Sequence, residues 1–107
     1  MPYNLRLTES AEHDLEDIYS YISSHDSVER AIHVIGKIED RVIQLNRTPE
    51  RGSAVRELTL LGIHEYREIF FKPYRIIYKV IENTVYIMII TDGRRDMQSL
   101  LQRRLLI

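Results

Sequence analysis

The side chains best suited to chemistry are cations near the C-terminal end of the chain. Arg75 and Lys79 lie four residues apart in a segment rich in β-branched and aromatic residues, and Arg94 and Arg95 directly follow a turn signal, Asp92-Gly93. A guanidinium presents a rigid fork of donors that fits a phosphate or a carboxylate. These four cations therefore predict a surface that binds an anionic group of a target.

Salt bridges within the chain are the structural alternative for the same arginines. The partners would be Asp92, Asp96 or the carboxylates of residues 9–17, a segment that otherwise indicates a solvated helix face. Within that segment, Asp14 is expected to pair with an arginine of the sheet. The pair Arg103-Arg104 is interpreted as a solvated face of a terminal helix.

Composition excludes several kinds of site. The 107 residues include no cysteine, which removes disulfides, thiolate metal sites and cysteine nucleophiles. The four histidines do not have the spacing of metal ligands, and neither a nucleophile elbow nor a phosphate-binding glycine loop is present. We therefore predict no metal and no cofactor.

Length and charge give a broad class. We expect residues 1–107 to form one domain, located in the cytoplasm, because neither a membrane span nor a secretory signal is recognisable. The net charge is −1, but residues 67–107 contain eight Lys and Arg against four Asp and Glu. This C-terminal part is the better candidate for contact with an anionic partner, unless it merely complements an acidic helical layer.

The N-terminal half predicts a strand followed by two helices. Residues 2–8 alternate in polarity, Thr8 or Ser10 can cap a first helix, and apolar residues then recur at helical spacing as far as Ile22. A second helix is predicted from about 28 to 46, with Asp26 as its cap. The short connection between them indicates an antiparallel helical hairpin.

The C-terminal half predicts three strands and a helix. They are a strand at 64–71, a hairpin over 73–92 with its turn at Glu82-Asn83, and a helix at 96–106. The fold class is therefore α+β, an antiparallel sheet packed on an N-terminal helical hairpin, in the order β-α-α-β-β-β-α. The long loop 47–62 is expected either to be functional or to cover part of the core.

The turn at Glu82-Asn83 predicts which side chains share a face of the sheet. It places Val80 opposite Val85, Tyr78 opposite Ile87 and Ile76 opposite Ile89, and this apolar face should cover the helical hairpin. The other face is expected to be amphipathic, with these members: Tyr66, Glu68, Phe70, Arg75, Ile77, Lys79, Tyr86, Met88 and Ile90. Either the terminal helix or another protein should cover it.

Three short motifs in this order resemble the RelE/ParE superfamily of bacterial toxins, most closely its ParE-like branch. They are Leu-Thr-x-x-Ala-x-x-Asp-Leu at 7–15, Pro-Tyr-Arg-Ile-Ile-Tyr at 73–78 and Asp-Gly-Arg-Arg-Asp at 92–96. The resemblance implies the toxin of a type II toxin–antitoxin module. Its partner would be a cognate antitoxin with a ParD-like DNA-binding domain, through which DNA would mainly be contacted.

The resemblance also implies a surface for the antitoxin. A disordered antitoxin tail that folds on binding would fit the amphipathic face of the sheet. The antitoxin-binding residues would then be Tyr66, Phe70, Ile77, Tyr86, Met88 and Ile90.

Two activities occur in the superfamily: cleavage of mRNA in the ribosome, and inhibition of DNA gyrase. The nuclease members resemble this chain at Arg75 and Arg95, which would be its catalytic residues, but they carry lysines where Tyr66 and Glu68 stand and often a tyrosine at Leu101. Because Glu68 removes positive charge where RNA cleavage needs it, the resemblance favours a binding protein over an enzyme, and growth arrest through inhibition of DNA gyrase. The alternatives are an mRNA endonuclease and a non-toxic relative that only binds its antitoxin.

Overall fold

A computed structural model describes residues 2–106, and a five-stranded sheet forms its centre. The strands are β1 (Asn4–Leu7), β2 (Ser53–Ala54), β3 (Tyr66–Phe71), β4 (Tyr74–Ile81) and β5 (Thr84–Asp92). Their spatial order is β1-β5-β4-β3-β2, in which β1 and β5 are parallel and the other neighbours are antiparallel. The α+β prediction is confirmed, although the sequence did not predict β2.

Four helices pack on this sheet: α1 (Glu9–His25), α2 (Val28–Ile43), α3 (Arg56–Thr59) and α4 (Met97–Leu105). The short helix α3 was not predicted, and α2 ends at Ile43, where a 3₁₀ turn over Gln44–Asn46 replaces the predicted continuation. Over residues 2–106, no helix has both the length and the apolar character that crossing a bilayer requires.

Side-chain caps determine where three of the helices begin. Thr8 Oγ1 accepts a hydrogen bond from the Ala11 backbone N–H at 3.1 Å, and Asp96 caps α4 as predicted. The predicted cap of α2 was wrong by one residue, because Ser27 Oγ, and not Asp26, accepts from the Arg30 N–H at 3.0 Å. Each such bond satisfies a backbone donor that has no partner inside the helix.

Both faces of the sheet are covered by helices of the same chain. On one face, α1 and α2 bury a core that includes Ile38, Ile76 and Tyr78. On the other face, α3 and α4 bury a second core, whose members are Val55, Leu58, Tyr66, Ile77, Ile89, Met97, Leu100 and Leu101. The terminal helix is therefore the cover of the second face, and the loop 47–62 contributes through α3.

A β-bulge changes the predicted register of the hairpin. Val80 pairs with Val85 and Tyr78 with Ile87 as predicted, but Ile76 pairs with Ile90, not with Ile89. The register shifts next to Tyr78, because one extra residue, Met88, is inserted in β5. As a result Ile90 lies in the core beneath the helical hairpin, and Ile89 takes its place on the second face.

Tyr78 ties the loop before β2 to the centre of the sheet. Its side chain is fully buried; Oη donates to the Pro49 carbonyl at 2.7 Å and accepts from the Gly52 N–H at 3.0 Å. A Cβ at Gly52 would lie 2.6 Å from this hydroxyl, so the close approach requires glycine.

Replacement of Tyr78 by Phe is expected to lower the free energy of unfolding by about 2 kcal/mol. The substitution leaves the Pro49 carbonyl and the Gly52 N–H without their partner in the interior. Urea unfolding followed by circular dichroism measures the change. Tyr19→Phe, at a partly exposed ring, is the matched control, and an equal loss in both variants would contradict the assigned role of the Tyr78 hydroxyl.

Candidate functional site

The predicted anion-binding residue Arg75 is held in the second face by two carboxylates. Its Nη1 and Nη2 donate to the two oxygens of Glu57, both at 2.8 Å, and its Nε donates to Glu68 Oε1 at 2.7 Å. The Arg75 side chain is only 12% exposed. The predicted alternative of internal salt bridges is thus realised, but its partners are neither Asp92 nor Asp96.

The fold brings these three residues together from three elements. Glu57 lies on α3, Glu68 on β3 and Arg75 on β4, where Glu68 is paired with Ile77 and Phe70 with Arg75 across the strands. The stem of Arg75 packs on Gly93, where an added Cβ would lie 2.7 Å from Arg75 Cδ. Arg75 is therefore fixed along its whole length, and it fastens α3 to the sheet.

The two carboxylates titrate differently although they share one guanidinium. The hydrogen bonds from Arg75 lower the pKa of Glu57, whose side chain is partly exposed. Burial raises the pKa of Glu68, and the hydrogen bond from Arg75 only partly offsets that effect. The hydrogen bonds from Glu57 in turn raise the pKa of Arg75, so the guanidinium stays charged.

Opposite pH dependences are expected for two glutamine variants. The folded-state pKa of Glu57 is lowered. Its stabilising contribution to the free energy of unfolding is therefore present above its unfolded pKa of about 4.5 and is lost as the pH falls through the folded pKa. The folded-state pKa of Glu68 is raised. Its stabilising contribution to the free energy of unfolding is therefore present below its unfolded pKa of about 4.5 and is lost as the pH rises through the folded pKa. Relative to the wild type, Glu68→Gln should gain stability with rising pH and Glu57→Gln should lose it.

Urea unfolding of the wild type and both variants between pH 3 and pH 7 tests this expectation, with pH values taken about one unit apart. Parallel curves for the two variants would contradict the assignment of opposite pKa shifts to Glu57 and Glu68.

The other predicted anion-binding residues have looser surroundings. Arg94 is 78% exposed and pairs with Asp92, with one contact at 2.6 Å, as the structural alternative expected. Arg95 Nη1 donates to Thr91 Oγ1 at 3.4 Å, and the Lys79 ammonium lies 5.5 Å from the centroid of the Tyr66 ring. Among residues 2–106, neither Arg95 nor Lys79 has a carboxylate partner.

The six residues predicted to bind an antitoxin do not form one open surface. Tyr66 and Ile77 are buried beneath α3 and α4, and Ile90 faces the helical hairpin because of the bulge. Phe70 is 42% exposed, and Tyr86 and Met88 are half-buried. The predicted placement of Ile90 on the second face was therefore wrong, and the antitoxin-binding role of all six residues stays a prediction.

Asp14 and Arg104 form a second, half-buried ion pair, which corrects two expectations. Arg104 Nη1 and Nη2 donate to the two oxygens of Asp14 at 3.0 and 2.9 Å, and Asp14 Oδ2 also accepts from the Ile90 N–H at 2.9 Å. The partner of Asp14 is thus on the terminal helix and not on the sheet, and Arg104 is not part of a solvated face. Arg104 also donates to the Met88 carbonyl at 2.7 Å.

This ion pair replaces a missing strand at the edge of β5. The parallel partner β1 ends at Leu7, opposite Ile87. Among residues 2–106, residues 88–90 therefore have no neighbouring strand on this edge, while β4 lies beside them on the other edge. Asp14 and Arg104 supply the acceptor and the donor there, and the same contacts attach α4 to α1. The bulge at Met88 is what turns the Ile90 N–H towards Asp14.

Sequence reasoning missed two sets of charged residues. Glu57 lies in a segment without periodicity, so no pattern connected it to Arg75. The second set comprises Arg30, Lys37 and Arg41 on α2, whose spacing of seven and four residues does place them on one side of a helix. That spacing is the signal by which the sequence identifies this set.

The geometry of the site limits what Glu68 can do chemically. Glu68 is only 5% exposed and accepts a hydrogen bond from Arg75. It therefore cannot contact a substrate while α3 is in place. Within residues 2–106, no group of three or more His, Cys, Asp or Glu is arranged to hold a metal ion.

Comparisons with known proteins agree with this fold. A family model described as the ParE toxin of type II toxin–antitoxin systems, parDE, matches residues 5–97. The structure of the chromosomal ParDE toxin–antitoxin system from P. aeruginosa is similar to this chain, with a TM-score of 0.71 and 20% identity, covering 84% of this chain and 95% of that one. No curated protein matches the chain significantly.

Two further structures have the same fold. The toxin–antitoxin complex RelBE2 of Mycobacterium tuberculosis gives a TM-score of 0.63 at 20% identity, covering 86% of this chain and 92% of that one. A mutant of the E. coli toxin RelE in the free state gives a TM-score of 0.61 at 16% identity, covering 98% and 100% of the two chains. At these identities the likeness concerns the fold alone.

Proposed function

The chain belongs to the ParE toxin family of type II toxin–antitoxin systems, and on this basis we propose that it arrests growth by binding and inhibiting DNA gyrase. The observation that supports the proposal is that Arg75 is already paired with two carboxylates. Its guanidinium is saturated by Glu57 and Glu68, at the place where an RNA-cleaving relative would need free positive charge.

The chemistry of RNA cleavage supports a binding function over a nuclease. Attack by the ribose 2′-hydroxyl needs a proton acceptor and positive charge close to the phosphate. Glu68 would be the acceptor, but it is buried and bound to Arg75, and Leu101 is a buried apolar side chain of α4. Arg95 alone binds an anion without supplying a proton-transfer partner.

A cognate antitoxin with a ParD-like DNA-binding domain is the proposed partner, in the cytoplasm, with residues 1–107 acting as one toxin domain. Two of the similar structures are toxin–antitoxin assemblies, the ParDE system of P. aeruginosa and the RelBE2 complex of Mycobacterium tuberculosis. Phe70, Tyr86 and Met88 are accessible to an antitoxin tail as they stand. Contact with Tyr66 and Ile77 requires that α3 and α4 leave the sheet, which makes antitoxin binding a competition with these helices.

A supercoiling assay with purified gyrase tests the proposed target. Addition of the toxin should block supercoiling, and addition of its antitoxin should restore it. Absence of inhibition, together with cleavage of mRNA only in the presence of ribosomes, would replace the gyrase proposal with the nuclease alternative. Absence of growth arrest on expression without the antitoxin would indicate the non-toxic relative.

Arginine substitutions are expected to separate docking from stability. Arg95→Ala should reduce gyrase inhibition several-fold with little change in unfolding, because Arg95 has no carboxylate partner among residues 2–106. Arg75→Ala should lower toxicity more than Arg103→Ala, because Arg75 is fixed in the sheet face and Arg103 is exposed on α4. Inhibition curves and urea unfolding, measured on the same preparations, distinguish the two causes. Equal toxicity of all three variants would argue against the sheet-face site.

A further inference from the structure

Four cations on one side of the molecule have no acidic partner among residues 2–106. Arg30, Lys37 and Arg41 lie on one side of α2, separated by roughly 10 and 6 Å along the helix axis, and Lys72 lies in the turn between β3 and β4. The guanidinium of Arg41 stacks on the Phe71 ring at 5.6 Å. No ion pair involving any of the four is present in the described part of the chain, residues 2–106.

An exposed aromatic pair lies at one end of this row of cations. The rings of Tyr21 and His25 are stacked with a centroid distance of 4.1 Å and an interplanar angle of 18°, and Tyr21 is 64% exposed. His25 Nδ1 lies 2.9 Å from the Tyr21 carbonyl, which holds the pair in place. Both rings line a groove of about 180 Å³ together with Arg30 and Lys72.

We propose that this basic and aromatic surface binds a single-stranded nucleic acid. Phosphates would follow the cations of α2 from Arg41 to Arg30 and Lys72, and a base would stack on the ring of Tyr21. Cations that follow the backbone, combined with open aromatic rings, are how proteins bind single strands without reading sequence. The site goes beyond the proposed gyrase and antitoxin contacts, because it lies on α1, α2 and the β3–β4 turn.

An acidic protein segment fits the surface less well. A helical peptide needs apolar anchors beside its charges, but the exposed apolar residues of α2, Val28, Ile32 and Ile43, lie on the opposite side of the helix from Arg30 and Arg41. A duplex also fits less well, because its base faces are stacked and would leave Tyr21 without a partner. Asp26 is the acid among the described residues that line the groove, and Arg30 and Lys72 outnumber it.

The test measures binding of the purified chain to a fluorescein-labelled oligothymidine of about 12 nucleotides by fluorescence anisotropy. Lys37→Gln combined with Lys72→Gln should weaken binding about tenfold at low salt, and should reduce the slope of log K against log salt concentration by about 1.4. Arg103→Gln, an exposed cation of α4, is the control and should leave binding unchanged. An equal effect of the control would overturn the site.

Substitution of Tyr21 tests the stacking half of the proposal. Tyr21→Ala should weaken binding of the oligothymidine about tenfold, whereas Tyr21→Phe should retain it, because only the ring face is used. A blunt duplex of the same length should bind more weakly than the single strand and should be insensitive to Tyr21→Ala. The assignment to single-stranded nucleic acid would be overturned if duplex and single strand bound equally, or if added salt released neither of them from the protein.

Discussion

Replacement of Arg75 by Met is expected to lower the free energy of unfolding by about 3–5 kcal/mol, because it leaves two carboxylates without their shared cation. Glu68 is 6% exposed at its side chain and cannot turn to water, while Glu57 loses both hydrogen bonds that hold α3 on the sheet. Urea unfolding at pH 7 measures the loss. Arg94→Met is the matched control, because its pair with Asp92 is similar in geometry but largely exposed.

A second substitution tests the reason for this loss. In the Arg75→Met background, Glu68→Gln removes the buried charge and should recover part of the lost stability, whereas Glu57→Gln should recover less. If neither substitution recovers stability, the effect of Arg75→Met arises from packing on Gly93 and not from the unpaired carboxylates. A result for Arg94→Met as large as that for Arg75→Met would refute the argument from burial.

Replacement of Asp14 by Ala is expected to lower the free energy of unfolding by about 2–3 kcal/mol. The change removes both hydrogen bonds of the Arg104 guanidinium and the acceptor of the Ile90 N–H. Asp14→Asn should lose less, because its amide oxygen still accepts from Ile90. Asp17→Ala, at an exposed carboxylate of the same helix, is the control.

Hydrogen exchange locates the effect of the Asp14 substitution. Because Arg104 attaches α4 to α1 and β5, the amides of Met97–Leu105 should exchange faster in Asp14→Ala than in the wild type, and more so than those of α2. Uniform acceleration across the protein would mean that Asp14 supports the whole fold and does not specifically hold the terminal helix.

Structural features that depend on residues close together in the chain could be predicted from the sequence. The caps at Thr8 and Asp96, the turn at Glu82-Asn83 and the apolar spacing of α1 and α2 depend on residues a few positions apart. Such chemistry is expressed locally, so composition and spacing suffice to predict it. The same reasoning misplaced the cap of α2 by one residue, because Asp26 and Ser27 are both competent acceptors.

The register error has a specific physical cause. Residues 85–90 are almost all apolar, because helices cover both faces of the sheet there, so polarity does not alternate along β5. Without alternation, one inserted residue at Met88 leaves no trace in the sequence, yet it moves Ile90 to the opposite face.

The site was only half predictable for a related reason. Arg75 stands out by its residue type, but its partners Glu57 and Glu68 are 18 and 7 residues away, and Asp14 and Arg104 are 90 residues apart. Pairing over such separations depends on the finished fold, and one sequence contains no signal for it. The partners of Arg75 and Arg104 were therefore not identifiable from the sequence, although the fold neutralises both cations.

The parallel pairing of the first strand with the last has a consequence for synthesis. Strand β1 is synthesised first but can pair only after Thr84, the partner of Asn4, has been synthesised. The loop closed by this contact spans most of the chain. Contacts of this separation slow folding and delay it until translation is nearly complete. The sheet of this topology is therefore completed only after β5 has left the ribosome, and a binding partner already present can contact the chain while it folds.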